Sequence, residues 1–309
     1  MKYLLGTRGS RLSIAQTNWV MAELKKKNPD SEYEIKTIKT KGDTDARPLF
    51  TINQKGIFEK EIDKAVADGV VDFAVHSLKD VPSILSDELV LGCVPKREPY
   101  NDVFIAKNGH TLETIPAGSV IGTSSLRRAV QVSRKRQDLI VKPIRGNVET
   151  RIQKIQDGAF DGVVLAQAGI NRLGIDIKYT PLSAIDFPPS PGQGALGIVC
   201  RKDDKKTLDM LKKIEDANTR IAVESERTLS SFVDSGCRFP VGAFAQVSGG
   251  SVSLTVVAYS IDGKQALVVQ KSGKDPLEVG KSAADELQQK GVNDLAKDWR
   301  QKVEEWNKK

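Results

Sequence analysis

The chain of 309 residues has few cysteines, histidines and aromatic residues, and it lacks a long hydrophobic run. A membrane-spanning helix needs roughly 18 consecutive apolar residues, and no segment approaches that length. The opening residues, Met1–Gly6, are too short for the apolar core of a signal peptide, so we expect a cytoplasmic protein. A content of 39% hydrophobic and 28% charged residues is typical of globular proteins, and the length suits two or three domains.

The scarcity of cysteine and histidine also limits which binding sites and catalytic groups the protein can have. Cys93, Cys200 and Cys237 are widely separated and odd in number, which fits neither a disulfide framework nor a zinc-binding spacing. We therefore expect no metal site. With only His76 and His110 present, a histidine base has few candidates. Neither a Walker sequence nor a Gly-x-Gly-x-x-Gly sequence occurs, which disfavours a nucleotide ligand.

Positive charge is in excess, with a net charge of +7. Such an excess suits either nucleic acid or a small acidic ligand. Many lysines lie on predicted helix faces and in tails, whereas the arginines lie beside glycine and serine at predicted strand ends. Few aromatic residues accompany those arginines, so a platform for stacking bases is not expected. The distribution favours a small acidic ligand over nucleic acid.

Strand and helix signals alternate through the first two-thirds of the chain, which predicts an α/β fold with a mixed or parallel sheet. The pattern partly repeats, because 5–10 resembles 121–125 and 68–75 resembles 157–164. We infer two related α/β domains. The last third predicts a small α+β domain with an antiparallel three-stranded sheet, since Gly-Gly and Asp-Gly pairs mark its hairpins.

Proline- and glycine-rich segments at 95–99 and 187–194 mark domain boundaries. The strand predicted over 195–200 returns to the first domain, which gives two crossovers and a hinged cleft. The expected domains are 1–95 with 191–213, 96–190, and 214–309. A polar segment at 41–56 is either disordered or an active-site lid, and we favour the lid.

Two strand ends carry charged or small polar residues. A buried strand at 70–75 runs into the turn His76–Pro82, and ligands of α/β proteins bind outside the carboxyl ends of such strands. A solvated turn that ends at Pro82 is the alternative interpretation. In Gly122–Arg128, small residues expose backbone N–H groups at a helix N-terminus, and two arginines follow.

Further arginines occupy comparable junctions between predicted strands and helices. They are Arg8, Arg11, Arg145, Arg151 and Arg172. One exposed arginine is usually only solvated, but several at such junctions predict a ligand with several negative charges. Cys237 lies in a loop between Gly236 and Arg238, where a thiol can be exposed and partly ionised. Cys93 and Cys200 lie in apolar strands and are expected to be inert core residues.

These motifs, in order along nearly the whole chain, resemble the porphobilinogen deaminase family, also called the hydroxymethylbilane synthases. The matching segments are 8–10, 55–58, 76–82, 122–128, 145–147, 192–195 and 236–237. The resemblance implies a three-domain fold whose first two domains are similar to type II periplasmic binding proteins. It also implies that Cys237 in the third domain forms a thioether to a dipyrromethane cofactor, itself made from two substrate molecules.

The resemblance implies the addition of four porphobilinogen molecules head to tail, each with loss of ammonia, and the release of hydroxymethylbilane by hydrolysis. The chain is then a transferase of tetrapyrrole and heme biosynthesis. We expect a monomer with a transient hand-over to the next enzyme of the pathway, and no nucleic-acid or membrane partner. The alternative is a non-catalytic carboxylate-binding protein with a hinged two-domain cleft, which the loop cysteine disfavours.

The resemblance also implies the roles of individual residues. Each pyrrole carries an acetate and a propionate, so the arginines are expected to pair with the carboxylates of the growing pyrrole chain. Asp80 is expected to hold pyrrole N–H groups and to stabilise positive charge on the ring, with Lys79 as a second catalytic residue. The cofactor-binding residues are expected to be Cys237, Ser77, Lys79, Asp80, Thr123, Ser124, Ser125, Arg127, Arg128, Arg145 and Gly146. The substrate-binding residues are expected to be Arg8, Ser10, Arg11, Lys55, Arg145, Arg151, Arg172 and Gln193.

Overall fold

A computed structural model of the protein describes residues 1–40, 59–233 and 240–295. The chain divides into two compact units. The first unit comprises Met1–Glu98 with Gly192–Val223, and the second unit comprises Pro99–Pro191 with Glu224–Lys309. The chain therefore passes from one unit to the other after residues 98, 191 and 223. The three-domain boundaries expected from the sequence stay a prediction.

Strands and helices alternate through most of both units. The strands are β1 (Lys2–Thr7), β2 (Glu32–Thr37), β3 (Phe73–Ser77), β4 (Leu89–Cys93), β5 (Asp102–Ala106), β6 (Val120–Gly122), β7 (Ile140–Lys142), β8 (Gly162–Ala166), β9 (Thr180–Pro181), β10 (Leu196–Arg201), β11 (Val241–Ser248), β12 (Ser251–Tyr259) and β13 (Ala266–Gly273). The α-helices are α1 (Arg11–Lys27), α2 (Lys60–Ala67), α3 (Leu126–Lys135), α4 (Val148–Gln156), α5 (Gln167–Leu173), α6 (Lys205–Leu211), α7 (Ala217–Val233), α8 (Pro276–Gln289) and α9 (Val292–Leu295).

The sheet of the first unit has the strand order β2-β1-β3-β10-β4. β1 runs parallel to β2 and β3, whereas β10 runs antiparallel to β3 and β4. Phe73 and Val75 on β3 face a core that includes Leu24 of α1. Ala74 between them faces a second core that includes Ile62 of α2, because side chains alternate along a strand. Helices therefore cover both faces, and the predicted return of β10 to this sheet is confirmed.

The five-stranded sheet of the second unit repeats this arrangement, with the order β7-β6-β8-β5-β9. β6 runs parallel to β7 and β8, and β5 runs antiparallel to β8 and β9. Each strand thus has an equivalent in the first sheet. Gly6 lies near the end of β1 and Gly122 ends β6, so the repeat in the sequence marks equivalent strands. The expectation of two related α/β sheets is confirmed.

The second unit also contains a three-stranded antiparallel sheet, β11-β12-β13. Gly249 and Gly250 form the two-residue connection between β11 and β12, with φ of 56° and 75°. Positive φ at both positions is what a type I′ hairpin turn requires, which explains the glycine pair. At Gly280 of α8, an added Cβ would lie 2.6 Å from the Ser225 carbonyl oxygen of α7, so the glycine allows the two helices to touch. The predicted α+β character of the last third is confirmed.

Several contacts fasten this small sheet to other parts of the second unit. The Ala243 N–H donates to the Pro189 carbonyl at 2.8 Å, and the backbone of Gly242 lies so close to Pro188 that a Cβ would overlap it. The Arg134 guanidinium of α3 donates to the Gly263 carbonyl at 2.7 Å. β11 is therefore held against the proline-rich crossover, and it begins two residues after 234–239, which lie outside the described residues.

Some element limits differ from the sequence-based expectation. The spacing of apolar residues predicts a first helix over 13–27, but the helix begins at Arg11, because Ser10 caps it by accepting a hydrogen bond from the Ser13 N–H at 3.2 Å. Of the four residues that this spacing places on one face, Thr17 and Leu24 are buried. Ile14 and Met21 are only half-buried, whereas the polar Gln16 is buried. Most of the helix predicted after residue 294 and the proposed lid at 41–56 lie outside the described residues.

Within the described ranges, no helix combines the length and the apolar character needed to cross a membrane. Across those same ranges, no group of three or more histidine, cysteine or acidic side chains is arranged to hold a metal ion. Cys93 and Cys200 are buried free thiols, as predicted for core residues. Burial raises the pKa of the Cys200 thiol to about 12, which keeps it protonated at neutral pH.

Candidate functional site

The first candidate site lies where β3 ends in the first unit. Ser77 ends the strand, and a 3-10 turn, Leu78–Asp80, follows directly. Leu78 is buried and anchors the turn, and the Val81 N–H closes it by donating to the Leu78 carbonyl at 3.1 Å. Asp80 is exposed. A carboxylate is thereby held in solvent at the carboxyl end of a buried strand, which is where such folds bind ligands.

Two helices fix this strand end from the side. Gln16 of α1 is buried, and its amide donates to the Ser77 hydroxyl at 2.8 Å. The buried ring of His76 lies 3.1 Å from the Asp63 carboxylate of α2. Sequence reasoning missed Gln16, although its signal was present, since a glutamine next to the inward Thr17 is a polar residue on an apolar helix face.

The other described residues predicted for the first unit lie either at the end of the neighbouring strand β1 or directly beside the turn. Ser10 caps α1, half-buried Arg8 follows β1, and Arg11 is exposed. Because β1 and β3 are parallel neighbours, their carboxyl ends share one edge of the sheet. Gln193 lies beside Lys79, with 3.4 Å between the Lys79 Nζ and the glutamine Oε1. Lys55 lies outside the described residues.

The second candidate site lies where β6 ends in the second unit. Gly122 packs so tightly that an added Cβ would lie 3.0 Å from Ile144 and Phe160, which explains a small residue there. The buried Thr123 hydroxyl accepts a hydrogen bond from the Ser125 N–H at 3.2 Å, and Ser125 caps α3. The turn therefore presents backbone and hydroxyl groups at the positive end of a helix.

Two arginines of α3 are buried behind this turn. The Nη2 atoms of Arg127 and Arg128 lie 2.9 and 2.7 Å from the two carboxylate oxygens of Asp102, which is fully buried. Arg127 also donates to the Pro188 carbonyl at 2.6 Å and to Gln131 at 2.9 Å. Much of the Arg127 guanidinium is therefore committed to protein acceptors. Two cations share one carboxylate, so the cluster carries a net positive charge.

Arg151 of α4 adds to this positive charge. Burial and the neighbouring positive charge of Arg128 lower its pKa to about 10, so the guanidinium is still charged at neutral pH. Its Nε atom is buried and has no hydrogen-bond partner among the described residues. A half-buried cation beside a second cation favours an anion nearby, so these residues fit a ligand that carries carboxylates.

Arg145, Gly146 and Arg172 complete the predicted set in the second unit. Arg145 is exposed, and Arg172 on α5 is half-buried. Gly146 has a φ of 115°, and an added Cβ would lie 2.5 Å from the Thr150 side chain, so the position requires glycine. Ser124 donates to the Ile144 carbonyl, which fixes its hydroxyl. Cys237 lies outside the described residues.

The fold and these residues define an α/β protein of two repeated sheets, each with cationic side chains at its strand ends. Residues 4–209 match the family described as "porphobilinogen deaminase, dipyrromethane cofactor binding domain", and 220–289 match its C-terminal domain. The chain is 68% identical over 310 residues to a "probable porphobilinogen deaminase" from Nitrosopumilus maritimus, covering all of both chains. It is 42% identical over 304 residues to the porphobilinogen deaminase of Listeria innocua, covering 97% of this chain and 98% of the relative.

The chain belongs to the porphobilinogen deaminase family. The resemblance inferred from the sequence motifs is therefore confirmed, and so are the assignments to tetrapyrrole biosynthesis and to the dipyrromethane cofactor. The non-catalytic alternative is not favoured. The roles expected for individual site residues are untested by these matches and stay predictions.

More distant similarities are found among solved structures. The effector-binding domain of BenM with benzoate aligns with 69% of this chain and 90% of its own, at a TM-score of 0.42 and 13% identity. A probable amino-acid ABC transporter extracellular-binding protein from Bacillus subtilis aligns with 69% of this chain and 90% of its own, at a TM-score of 0.40 and 12% identity. At such scores the fold assignment rests on the sheets described above.

Proposed function

We propose that the chain is a transferase that joins four porphobilinogen molecules head to tail into hydroxymethylbilane, with loss of one ammonia for each unit. The observation that carries this proposal is the exposed Asp80 at the carboxyl end of β3, inside the segment that matches the cofactor-binding domain. We further propose a cytoplasmic monomer that hands its product transiently to the next enzyme of the pathway.

Asp80 has the chemistry that the reaction needs. Loss of ammonia leaves an electron-poor pyrrole with positive charge on its ring nitrogen. A carboxylate held near that nitrogen accepts a hydrogen bond from its N–H and stabilises the positive charge as it develops. Asp80 is exposed, and its turn is fixed by the buried Leu78, so the carboxylate is presented without a large loss of conformational freedom on binding. The ammonium of the neighbouring Lys79 binds a substrate carboxylate or orients the Asp80 carboxylate.

The second unit supplies the binding sites for carboxylates. Bound through a thioether to Cys237, dipyrromethane supplies the primer to which the first substrate unit is joined. The turn Thr123–Ser125 can donate from its backbone and hydroxyl groups to a carboxylate. The buried Arg128 and the half-buried Arg151 form a positive cluster, and Arg145 and Arg172 lie at neighbouring strand ends. In the first unit, Arg8, Ser10 and Arg11 are proposed to bind substrate.

An Asp80→Asn variant tests the proposal, because asparagine keeps the shape of the side chain and removes its charge. We expect porphobilinogen consumption and ammonia release to fall by at least about a hundredfold, the scale seen when one charge-stabilising group is removed. Asp87→Asn is the matched control, since Asp87 is an exposed aspartate of the same unit. Equal activity of the Asp80→Asn and Asp87→Asn variants would refute the role of Asp80.

Intact-mass measurement separates catalysis from simple binding. The active wild-type protein should carry the mass of two pyrrole units, and a Cys237→Ser variant should lack it. A wild-type protein that binds porphobilinogen without consuming it, and that has an unmodified mass, would support the non-catalytic alternative instead.

A further inference from the structure

A buried glutamine lies next to Lys79, the lysine of the candidate site in the first unit. Gln193 has only 1% of its surface exposed, and its Oε1 atom lies 3.4 Å from the Lys79 Nζ. We propose that Gln193 is a positioning residue that orients the Lys79 ammonium and does not itself contact substrate. The inference rests on the role proposed above for Lys79, and it replaces the expectation that Gln193 binds substrate directly.

The backbone around Gln193 runs closely alongside the turn that carries Lys79. Leu196 pairs with Ser77 in the antiparallel ladder of β10 and β3, and the Leu78 N–H donates to the Ala195 carbonyl at 3.0 Å. Gly192 has a φ of 74°, and a Cβ added there would lie 3.2 Å from the backbone nitrogen of Lys79. The two backbones are thus in contact, which places the buried Gln193 side chain beside Lys79.

The segment is also fixed from its other side. The Gln193 carbonyl accepts a hydrogen bond from the Arg97 Nε at 2.8 Å, and the Gly194 carbonyl accepts one from the Glu98 N–H at 3.1 Å. Arg97 in turn donates its backbone N–H to the Thr219 hydroxyl at 3.2 Å. Residues 97–98 and 192–194 adjoin two of the points where the chain passes between units. The backbone that carries Gln193 is therefore held by the segment 97–98 on one side and by the Lys79 turn on the other.

An amide oxygen suits this positioning role better than a carboxylate does. It accepts a hydrogen bond from the ammonium and leaves the positive charge uncancelled, so Lys79 can still attract a substrate carboxylate. A glutamate at 193 would form an ion pair with Lys79 and compete with that carboxylate. At 3.4 Å the bond is longer than the usual 2.7–3.2 Å, so its loss should change kcat/KM by only about tenfold.

The first test is a double-mutant cycle on holoenzyme with wild type, Gln193→Met, Lys79→Met and the double variant. Methionine keeps the volume of both side chains and removes their polar groups. If Gln193 acts through Lys79, Gln193→Met lowers kcat/KM for porphobilinogen about tenfold in the wild type and hardly at all beside Lys79→Met. An equal loss in both backgrounds would overturn the inference. Wild-type kinetics in Lys79→Met would instead overturn the role of Lys79, and the inference with it.

The second test needs no turnover. Lysines of the substrate-free holoenzyme are dimethylated with ¹³C, which preserves their charge, and the Lys79 resonance is identified by its loss in Lys79→Met. Loss of the glutamine acceptor should shift this resonance and lower the Lys79 pKa in Gln193→Met, because the acceptor stabilises the charged form. Gln131→Met is the control, since Gln131 is a buried glutamine that donates to Pro188 in the second unit. An unchanged Lys79 titration in Gln193→Met would contradict the proposal.

Discussion

Replacement of Asp102 by asparagine would remove the one carboxylate shared by Arg127 and Arg128. Asp102 is fully buried, and its two oxygens lie 2.9 and 2.7 Å from the two guanidinium groups. Asparagine has one carbonyl oxygen, so it can accept from one arginine while its NH₂ group faces the other. The variant thus removes the negative charge that these two buried cations share, and the Arg127 pKa, already lowered by burial, would fall further.

The size of this effect can be worked from the geometry. Breaking a buried ion pair by removal of one partner costs about 3–5 kcal/mol, and the hydrogen bond that asparagine keeps places Asp102→Asn near about 3 kcal/mol. For a chain of 309 residues, that loss corresponds to a fall in melting temperature of about 5 °C.

Urea denaturation of the holoenzyme, followed by far-UV circular dichroism, measures the change. Asp138→Asn is the matched control, because Asp138 also binds an arginine, with 2.8 and 2.6 Å to Arg136, but is exposed. Solvent screens such a pair, so little change is expected there. Midpoints that shift equally in Asp102→Asn and Asp138→Asn would show that burial of the charges does not set the cost, and the reasoning would fail.

Two further predictions concern single charged groups. Arg151→Met should raise KM for porphobilinogen about tenfold or more, while the urea midpoint of the substrate-free holoenzyme holds or rises. The reason is that a buried Nε with no hydrogen-bond partner among the described residues destabilises the fold, and a lowered midpoint would contradict this. In the third sheet, Lys271 and Lys290 lower the pKa of Glu286 to about 2. A carboxylate with a lowered folded-state pKa stabilises the protein above its unfolded pKa, so Glu286→Gln should be less stable than wild type at pH 7. That difference should shrink as the pH falls from about 4.5 towards 2, and a pH-independent difference in melting temperature would refute it.

Much of the fold could be predicted because local patterns carry it. The apolar strand before His76 is covered by helices on both faces, as its continuous hydrophobic run predicts. Gly249 and Gly250 predicted a hairpin, since a two-residue turn with positive φ at both positions matches the twist of the strands that it joins. The resemblance between the segments around Gly6 and Gly122 predicted a duplicated sheet, and the two sheets share one strand order.

The partners of the site residues could not be predicted in the same way. Arg127 and Arg128 follow a Gly-Thr-Ser-Ser turn, and that spacing indicated a ligand. The structure in addition joins both side chains to Asp102, 25 and 26 residues away, a partner that the spacing did not predict. A charged side chain can be buried only with a compensating group, and the spacing of residues within one helix says nothing about which distant strand supplies it.

The order of residues by itself therefore determined which segments are strands and helices, which of them repeat, and where strand ends carry ionisable groups. These properties depend on side-chain periodicity and turn chemistry within a few residues. Tertiary packing alone decided that Gln16 meets Ser77 across 61 residues and that Gln193 meets Lys79 across 114. Such contacts arise when whole elements pack to bury apolar surface, because the polar groups brought inside must then pair with whatever acceptor or donor lies opposite.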